Sequence, residues 1–313
     1  MRVLITGGAG FVGSHLAEKL VELDHEVFIL DNLSNGSLDN IQNILDKVKF
    51  VNGDVSSRFF LNTFKNLDFD VIFHLACHPR SFSFKDPWTD VDVNIKGMIN
   101  VLELAKKNKA KVIFSSNSGI YSVDKIPVDE SCPDSPKTPY DVDKLAAEHY
   151  CKVYHSQFGI PIIIFRFATV YGPRQRINKQ LQWKPVIIEF VSKMLRGIPP
   201  TIDGDGTQTR DFIYVKDIVN ALVKSMNCDK AVGEVILLST GIEISINRLF
   251  EMISDIIGVN LLPKYGPPKP GDIRRMCYLN RKARQILNWE PIYSLETGLK
   301  ETVEWVKHNL EIN

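Results

Sequence analysis

Five cysteines in 313 residues, Cys77, Cys132, Cys151, Cys228 and Cys277, lie far apart and form no Cys-x-x-Cys pair. That argues against a disulfide framework and points to reduced thiols. Cys77 stands beside His78 and three residues after His74, but no third ligand is near, so no metal is expected. Long apolar runs are missing: none approaches the ~20 residues of a membrane span. Charge of one sign is missing too. Thirty-eight basic residues against 37 acidic ones leave a net +1, with no basic stripe, which argues against a nucleic-acid partner. There is no internal repeat and no low-complexity tract. The segment Met1-Arg2-Val3-Leu4-Ile5-Thr6 runs straight into a strand pattern without a leader-like apolar region, so a cytoplasmic protein is expected.

The 44% hydrophobic content supports a packed core large enough for two lobes or one large α/β domain. Strand patterns at Arg2 to Thr6, Glu26 to Leu30, Lys49 to Val51, Val71 to Ala76, Lys111 to Ser115 and Ile160 to Phe165 are separated by helix-length segments. Among these segments are Ser14 to Leu23, Asn94 to Lys107 and Tyr140 to Phe158. This alternation predicts a parallel sheet covered by helices on both faces. After Gly172-Pro173-Arg174 the texture shifts to prolines, polar loops and shorter elements. Within it, Ile213 to Met226 reads as a strand end and a helix, Val235 to Leu238 as a strand, and Ser245 to Ile257 and Leu295 to Asn309 as helices. The expected organisation is a doubly wound domain over residues 1–168 and a smaller α/β lobe over 169–313, interwoven with it.

The first strand enters Gly7-Gly8-Ala9-Gly10-Phe11-Val12-Gly13 and then a helix, the context that a dinucleotide-binding turn requires. Glycines let backbone N–H groups reach a pyrophosphate, and the helix N-terminus favours its charge. Asp31 ends the second strand, where a carboxylate accepts from a ribose diol and repels a 2′-phosphate. NAD is therefore expected rather than NADP. Asp54 is open to two readings, a simple turn residue or a contact to the adenine end.

Tyr140 and Lys144 are four apart in Tyr140-Asp141-Val142-Asp143-Lys144 and share a helix face. A tyrosine with its ordinary pKa near ~10 needs about 4 kcal/mol of extra preference for the phenolate to act as a base near neutrality. A neighbouring ammonium supplies part of that, and a bound nicotinamide cation supplies more.

Together with Asp31-Asn32-Leu33, Gly53-Asp54-Val55, His74-Leu75-Ala76, Asn94-Ile95-Lys96-Gly97, Tyr171-Gly172-Pro173-Arg174-Gln175 and Asp205-Gly206-Thr207-Gln208-Thr209-Arg210-Asp211-Phe212, these motifs form an ordered set. Pro270-Gly271-Asp272 and Leu287-Asn288-Trp289-Glu290-Pro291 complete it. The chain resembles, over nearly its whole length, the extended short-chain dehydrogenase/reductases, in particular the NAD-dependent nucleotide-sugar epimerase/dehydratase group. The resemblance implies a Rossmann fold and NAD contacts from Gly7, Gly10, Phe11, Val12, Gly13, Asp31, Asn32, Asn35, Gly36, Asp54, Val55, Leu75, Ala76, Asn94, Ser115, Tyr140 and Lys144. It implies that Tyr140 takes the proton of a sugar 4-hydroxyl while hydride passes to NAD and back, with Lys144 assisting. It also implies a homodimer built on the Asn94–Lys107 and Tyr140 helices, and a UDP-sugar as substrate.

Several positions depart from the family pattern. Its usual Ser or Thr, four before Tyr121, is Asn117, flanked by Ser116 and Ser118 in a segment that reads as a loop. Ser118 is taken as the hydroxyl partner of Tyr140, with Asn117 as an amide substitute. Where the dehydratase branch carries an Asp-Glu pair, this chain has Ser118 and Gly119, which favours epimerisation over dehydration. Thr169 replaces a frequent Asn, and Lys269 replaces an arginine before Pro270-Gly271-Asp272. Arg210 is the leading candidate for the diphosphate, followed by Arg274, with Thr169, Lys269 and Asp272 nearby in the pattern. Arg80-Ser81 is similar to the subgroup acting on UDP-hexuronates or UDP-N-acetylhexosamines. The expected activity is 4-epimerisation of the UDP-glucose/UDP-galactose type. The alternatives are those other UDP-sugars, another nucleotide-sugar oxidoreductase or dehydratase, and a non-catalytic NAD-binding regulator.

Overall fold

The structure, a computed structural model, describes residues 1–175, 185–268 and 273–311. Strand β1 (Arg2–Thr6) turns through the glycines into helix α1 (Phe11–Glu22) and β2 (Glu26–Asp31). β3 (Val48–Asn52), the single-turn α2 (Phe60–Thr63) and β4 (Val71–His74) follow. Next, α3 (Pro87–Val91), a π-helical turn over Asp92–Lys96 and α4 (Gly97–Asn108) run on without a break, up to β5 (Lys111–Asn117). The long α5 (Pro139–Phe158) and β6 (Ile162–Phe167) close the first half.

The second half contains β7 (Thr169–Tyr171), α6 (Val186–Met194), β8 (Thr201–Asp203), β9 (Thr209–Arg210) and β10 (Phe212–Tyr214). It continues with α7 (Val215–Ser225), β11 (Val235–Leu238), β12 (Ile244–Ser245), α8 (Ile246–Ile257), β13 (Lys264–Gly266), α9 (Arg281–Leu287) and α10 (Leu295–Glu311).

Seven parallel strands form the main sheet in the order β11-β6-β5-β4-β1-β2-β3, a Rossmann-type doubly wound arrangement. Side-chain alternation sorts its core. Val3 and Ile5 join the layer of α1 and α7, whereas Leu4 joins that of α4 and α5. A third cluster, with Val191, Leu249, Ile253 and Leu299, packs α6, α8 and α10 together away from the sheet. Because β11 comes from the second half and pairs with β6, and α7 packs in the layer of α1, we propose a lobe boundary near residue 168 that these second-half elements cross. Among the described residues, no helix is long and apolar enough to cross a membrane.

The elements differ from expectation at their ends, for identifiable reasons. Helix α1 starts at Phe11 rather than Ser14, because Gly10 is its N-cap and the glycine turn is partly helical. β4 stops at His74: Leu75 still bonds the Thr6 carbonyl, but β1 then turns away at Gly7 and the ladder loses its partner. Pro161 has no N–H, so β6 begins at Ile162, and its register carries β5 on to Asn117. Ser115, Ser116 and Asn117 are therefore strand, and only Ser118–Ile120 form a 3₁₀ turn where a longer loop was expected. The helix expected from Asn94 begins seven residues earlier, at Pro87, and carries Asn94 in its π-turn.

One ion cluster ties α5 to the sheet. Arg166 on β6 donates to both oxygens of buried Glu148 at 2.8 and 2.7 Å and to Asp134 at 2.7 Å. Ser116 adds a bond to Glu148 at 2.5 Å. Replacing one member leaves the other charge buried and alone. Arg166→Met is expected to lower the unfolding free energy by about 3–5 kcal/mol, read from the denaturant midpoint. A loss well under about 1 kcal/mol would show that Glu148 does not depend on this partner.

Candidate active site

The strand order reverses between β1 and β4, and the crevice that this creates at their C-terminal ends holds a cleft of about 530 Å³. The glycine turn forms one wall. Gly7 has φ +74°, and a Cβ on it would lie 2.7 Å from the Ala76 nitrogen. A Cβ on Gly13 would lie 2.1 Å from the Gly7 carbonyl oxygen, so no side chain fits there. With no acidic residue in the first turn of α1, its N-terminal N–H groups face the cleft unopposed. Asp31 is buried at the far end. One of its oxygens accepts from the Ala9 N–H at 3.0 Å, the other from the Leu33 N–H at 2.8 Å. An ionised carboxylate has lone pairs left over for a ribose diol. Asn32 donates to Asp54 at 2.9 Å, and Asp54 also accepts from Ser56, so Asp54 is both a turn residue and part of the cleft lining. The lining has the shape and donors that a dinucleotide requires.

Tyr140 sits at the other end. Helix α5 begins there because Thr138 and Asp141 form a reciprocal capping box and Pro139 occupies the first turn. Four residues on, Lys144 is 1% exposed. Its ammonium donates to the Ser115 carbonyl at 2.9 Å and lies 5.6 Å from the centre of the Tyr140 ring. Burial pushes the Lys144 pKa down, against the negative groups around it. The Tyr140 phenol is pushed up, by burial first and by the adjacent Cys77 thiol second. In the protein alone, then, the expected lowering of the phenol by Lys144 is not present. A lowered value requires further positive charge at the site, which a nicotinamide cation carries.

Nearly all the residues expected at the cofactor line this cleft: Gly7, Gly10, Phe11, Val12, Gly13, Asp31, Asn32, Asn35, Gly36, Asp54, Val55, Leu75, Ala76, Ser115 and Tyr140. Two do not. Lys144 lies behind the wall, and Asn94 is buried in its π-turn, holding Asp90 and the His78 N–H. Cys77, His78, Phe82, Thr89 and Val93 line the cleft without having been anticipated. For Cys77 and His78, a position just after the strand at the order reversal was the available signal.

The sugar-side residues are dispersed. Asn117 accepts from the Gly119 N–H and donates to Asp141 at 2.6 Å. Ser118 is buried beside Tyr278, whose phenol is pushed up by burial first while the Ser118 hydroxyl acts the other way. Arg80 pairs with Asp141 at 2.9 Å. Arg210 donates to the Thr209 and Ile273 carbonyls. Arg274 forms a two-pronged pair with Asp205 at 3.0 and 2.9 Å on the surface. The Thr169 N–H bonds the Asp211 carbonyl. None of these six side chains lines the cofactor cleft. Lys269 and Asp272 lie outside the described residues. Among the described residues, no group of three His, Cys, Asp or Glu side chains could hold a metal ion.

The sequence pattern of the NAD dependent epimerase/dehydratase family matches residues 3–238. The chain belongs to that family. It is 38% identical over 311 residues to a putative UDP-glucose 4-epimerase of Methanocaldococcus jannaschii, covering 98% of this chain and 99% of the relative. Its backbone matches the UDP-glucose 4-epimerase of Thermotoga maritima, solved with UDP-glucose, with a TM-score of 0.93 and 35% identity, covering 99% and 100% of the two chains. It also matches the UDP-glucuronic acid 4-epimerase of Bacillus cereus, solved with UDP-glucuronic acid and NAD, with a TM-score of 0.90 and 33% identity over 99% and 100%. NAD is thus the cofactor of this nucleotide-sugar epimerase family member.

His74, at the end of β4, is fully buried beside this site. It shares a 2.7 Å hydrogen bond with Thr6 and stacks on Phe114. Burial first, and Lys144 second, lower its pKa from 6.5 to about 3. The folded protein therefore keeps His74 neutral, whereas the unfolded chain protonates it. Its contribution to stability is complete above pH 6.5 and is lost as pH falls toward 3. Asp143 and Asp217, both raised to about 6, slope the other way, so the test is a difference. The gap between wild type and His74→Asn should shrink as pH falls from 6.5 to 4, in chemical denaturation. A gap independent of pH would contradict a buried neutral His74.

Proposed function

We propose that the chain is a 4-epimerase of the UDP-glucose/UDP-galactose type. The observation that carries this reading is Tyr140 on the floor of a dinucleotide cleft with the Lys144 ammonium buried directly behind it. NAD, when bound, supplies the hydride acceptor and donor for C4 of the sugar. Tyr140 takes the 4-hydroxyl proton as the hydride leaves and returns it after the ring has turned over. Lys144 fixes the position of Tyr140 from behind and, together with the charge of a bound nicotinamide, would favour the phenolate. Asn117 and Ser118 frame the sugar. Of the two, Asn117 is better placed, because it is anchored to Asp141 next to Tyr140. Arg210, followed by Arg274, is assigned to the nucleotide diphosphate, with Lys269, Thr169 and Asp272 as further substrate-side candidates. Ser118 and Gly119 offer no carboxylic acid for water elimination, which disfavours dehydration.

Arg80 supports a second reading. Its side chain is 29% exposed after β4, where a hexuronate carboxylate would compete with Asp141 for the guanidinium. We also propose a homodimer through α4 and α5, since Val142, Tyr150 and Val153 leave an apolar face of α5 exposed.

A panel of UDP-sugars, followed by product analysis at C4 without added cofactor, tests the reading. UDP-galactose should give UDP-glucose, and Tyr140→Phe should lower kcat by about 100-fold or more with NAD still bound. Product lacking water, a requirement for stoichiometric cofactor, or an unaffected variant would each contradict it. Faster turnover of UDP-glucuronate than of UDP-galactose would decide for the second reading.

A further inference from the structure

The register of the sheet lines up one row of side chains beneath the reacting pair. Thr6 on β1 is opposite His74 on β4, and His74 is opposite Phe114 on β5. Directly paired residues point to the same face of a sheet, so these three side chains form one row. It lies on the side that α4 and α5 cover, and all three residues are fully buried. The Thr6 hydroxyl and His74 Nδ1 are 2.7 Å apart. The His74 and Phe114 rings stack with centres 5.6 Å apart and planes at 19°. Lys144 comes from α5 onto the end of this row. Its ammonium lies over the Phe114 ring, 4.8 Å from the centre.

A buried ammonium needs a substitute for water around its N–H donors. Among the described residues one hydrogen-bond acceptor meets it, the Ser115 carbonyl at 2.9 Å. The negative face of an aromatic ring is a second kind of partner, and that contact strengthens when water is excluded. Ser115 and Phe114 are neighbours on β5, so one stretch of backbone sets both contacts. Together they decide where the ammonium stands, 5.6 Å from the centre of the Tyr140 ring.

We propose that Phe114 is a positioning residue for the reaction: its ring holds the Lys144 ammonium by a cation–π contact, and the Thr6–His74 contact holds the ring. The proposal rests on the reading of Tyr140 and Lys144 as the reacting pair. The neutral state of His74 fits it. A protonated imidazole stacked on Phe114 would compete with Lys144 for the ring, and burial with the Lys144 charge keeps His74 unprotonated. A leucine at 114 would fill the core but offer no such face. Besides Tyr140, the titratable groups around Lys144 are His74 on β4, Cys77 after it, Asp90 on α3, and Glu148 and Cys151 on α5. A change confined to the Phe114 ring leaves each of them in place.

Graded fluorination of the ring is the test. In the full chain, Phe114 is replaced by phenylalanines with one, two and three ring fluorines, which weaken the negative face stepwise with little change of shape. The logarithm of kcat should fall in steps along the series, roughly tenfold in all, with KM for the UDP-sugar nearly unchanged. The acid limb of kcat should move to higher pH in parallel, because a weaker hold on the ammonium gives the Tyr140 phenolate less support. Phe114→Leu should lose at least as much. Ultraviolet titration of the phenolate in the NAD-bound protein, taken as the difference from Tyr140→Phe, reads the same upward shift without turnover. A flat series in both readouts, or wild-type kcat in Phe114→Leu, would mean that the ring only fills space and would overturn the proposal. A titration that shifts along the series without epimerisation of any UDP-sugar would sustain the role of Phe114 and count against the epimerase reading instead.

Discussion

Burying the Lys144 ammonium is the constraint around which this site is arranged. A charged amine removed from water costs several kcal/mol unless hydrogen bonds and counter-charge replace its hydration. The replacements come from several elements at once. β5 supplies the Ser115 carbonyl and, 4.8 Å from the ammonium, the Phe114 ring. α3 supplies Asp90, and α5 supplies Glu148 one turn further on. His74, also against Lys144, stays neutral, since a second buried cation there would be disfavoured. The bond from Lys144 to β5 therefore fixes α5 to the sheet and places Tyr140 at the cleft.

Asp141 organises the loop side in the same way. It is fully buried and accepts from the Thr138 N–H, the Arg80 guanidinium and the Asn117 amide. This accounts for the amide at position 117. A serine or threonine there would be too short to span to Asp141 as Asn117 does, and a buried carboxylate oxygen would lose a donor. Asn117, Asp141 and Arg80 are thus one unit, and changing any of them alone unbalances the other two.

Much of this was legible in the sequence because the signals were local. Strand–glycine–helix, an acid at the end of β2, and Tyr and Lys at helical spacing each follow from short-range geometry. The glycine turn, Asp31 and Tyr140 line the cleft as those signals suggest, and the further lining residues among the expected set were implied by the family resemblance. The rest depended on contacts distant in sequence. Ser118 lies beside Tyr278, 160 residues away in the chain, and Asn94 faces Asp90 and His78 rather than the cleft. The lining by Cys77, His78 and Phe82 follows from where β4 ends, which β1 decides by turning away at Gly7. No periodicity reports such choices.

The central claim is that Tyr140, backed by the buried Lys144, removes and returns a proton while hydride leaves C4 and comes back within a single closed cycle. The most direct measurement uses UDP-galactose carrying deuterium at C4, incubated without added cofactor in ordinary water. The account predicts UDP-glucose that retains the label at C4, with turnover slowed by the heavier hydrogen if that transfer limits the rate. Product in which the label has been exchanged for solvent hydrogen would contradict it.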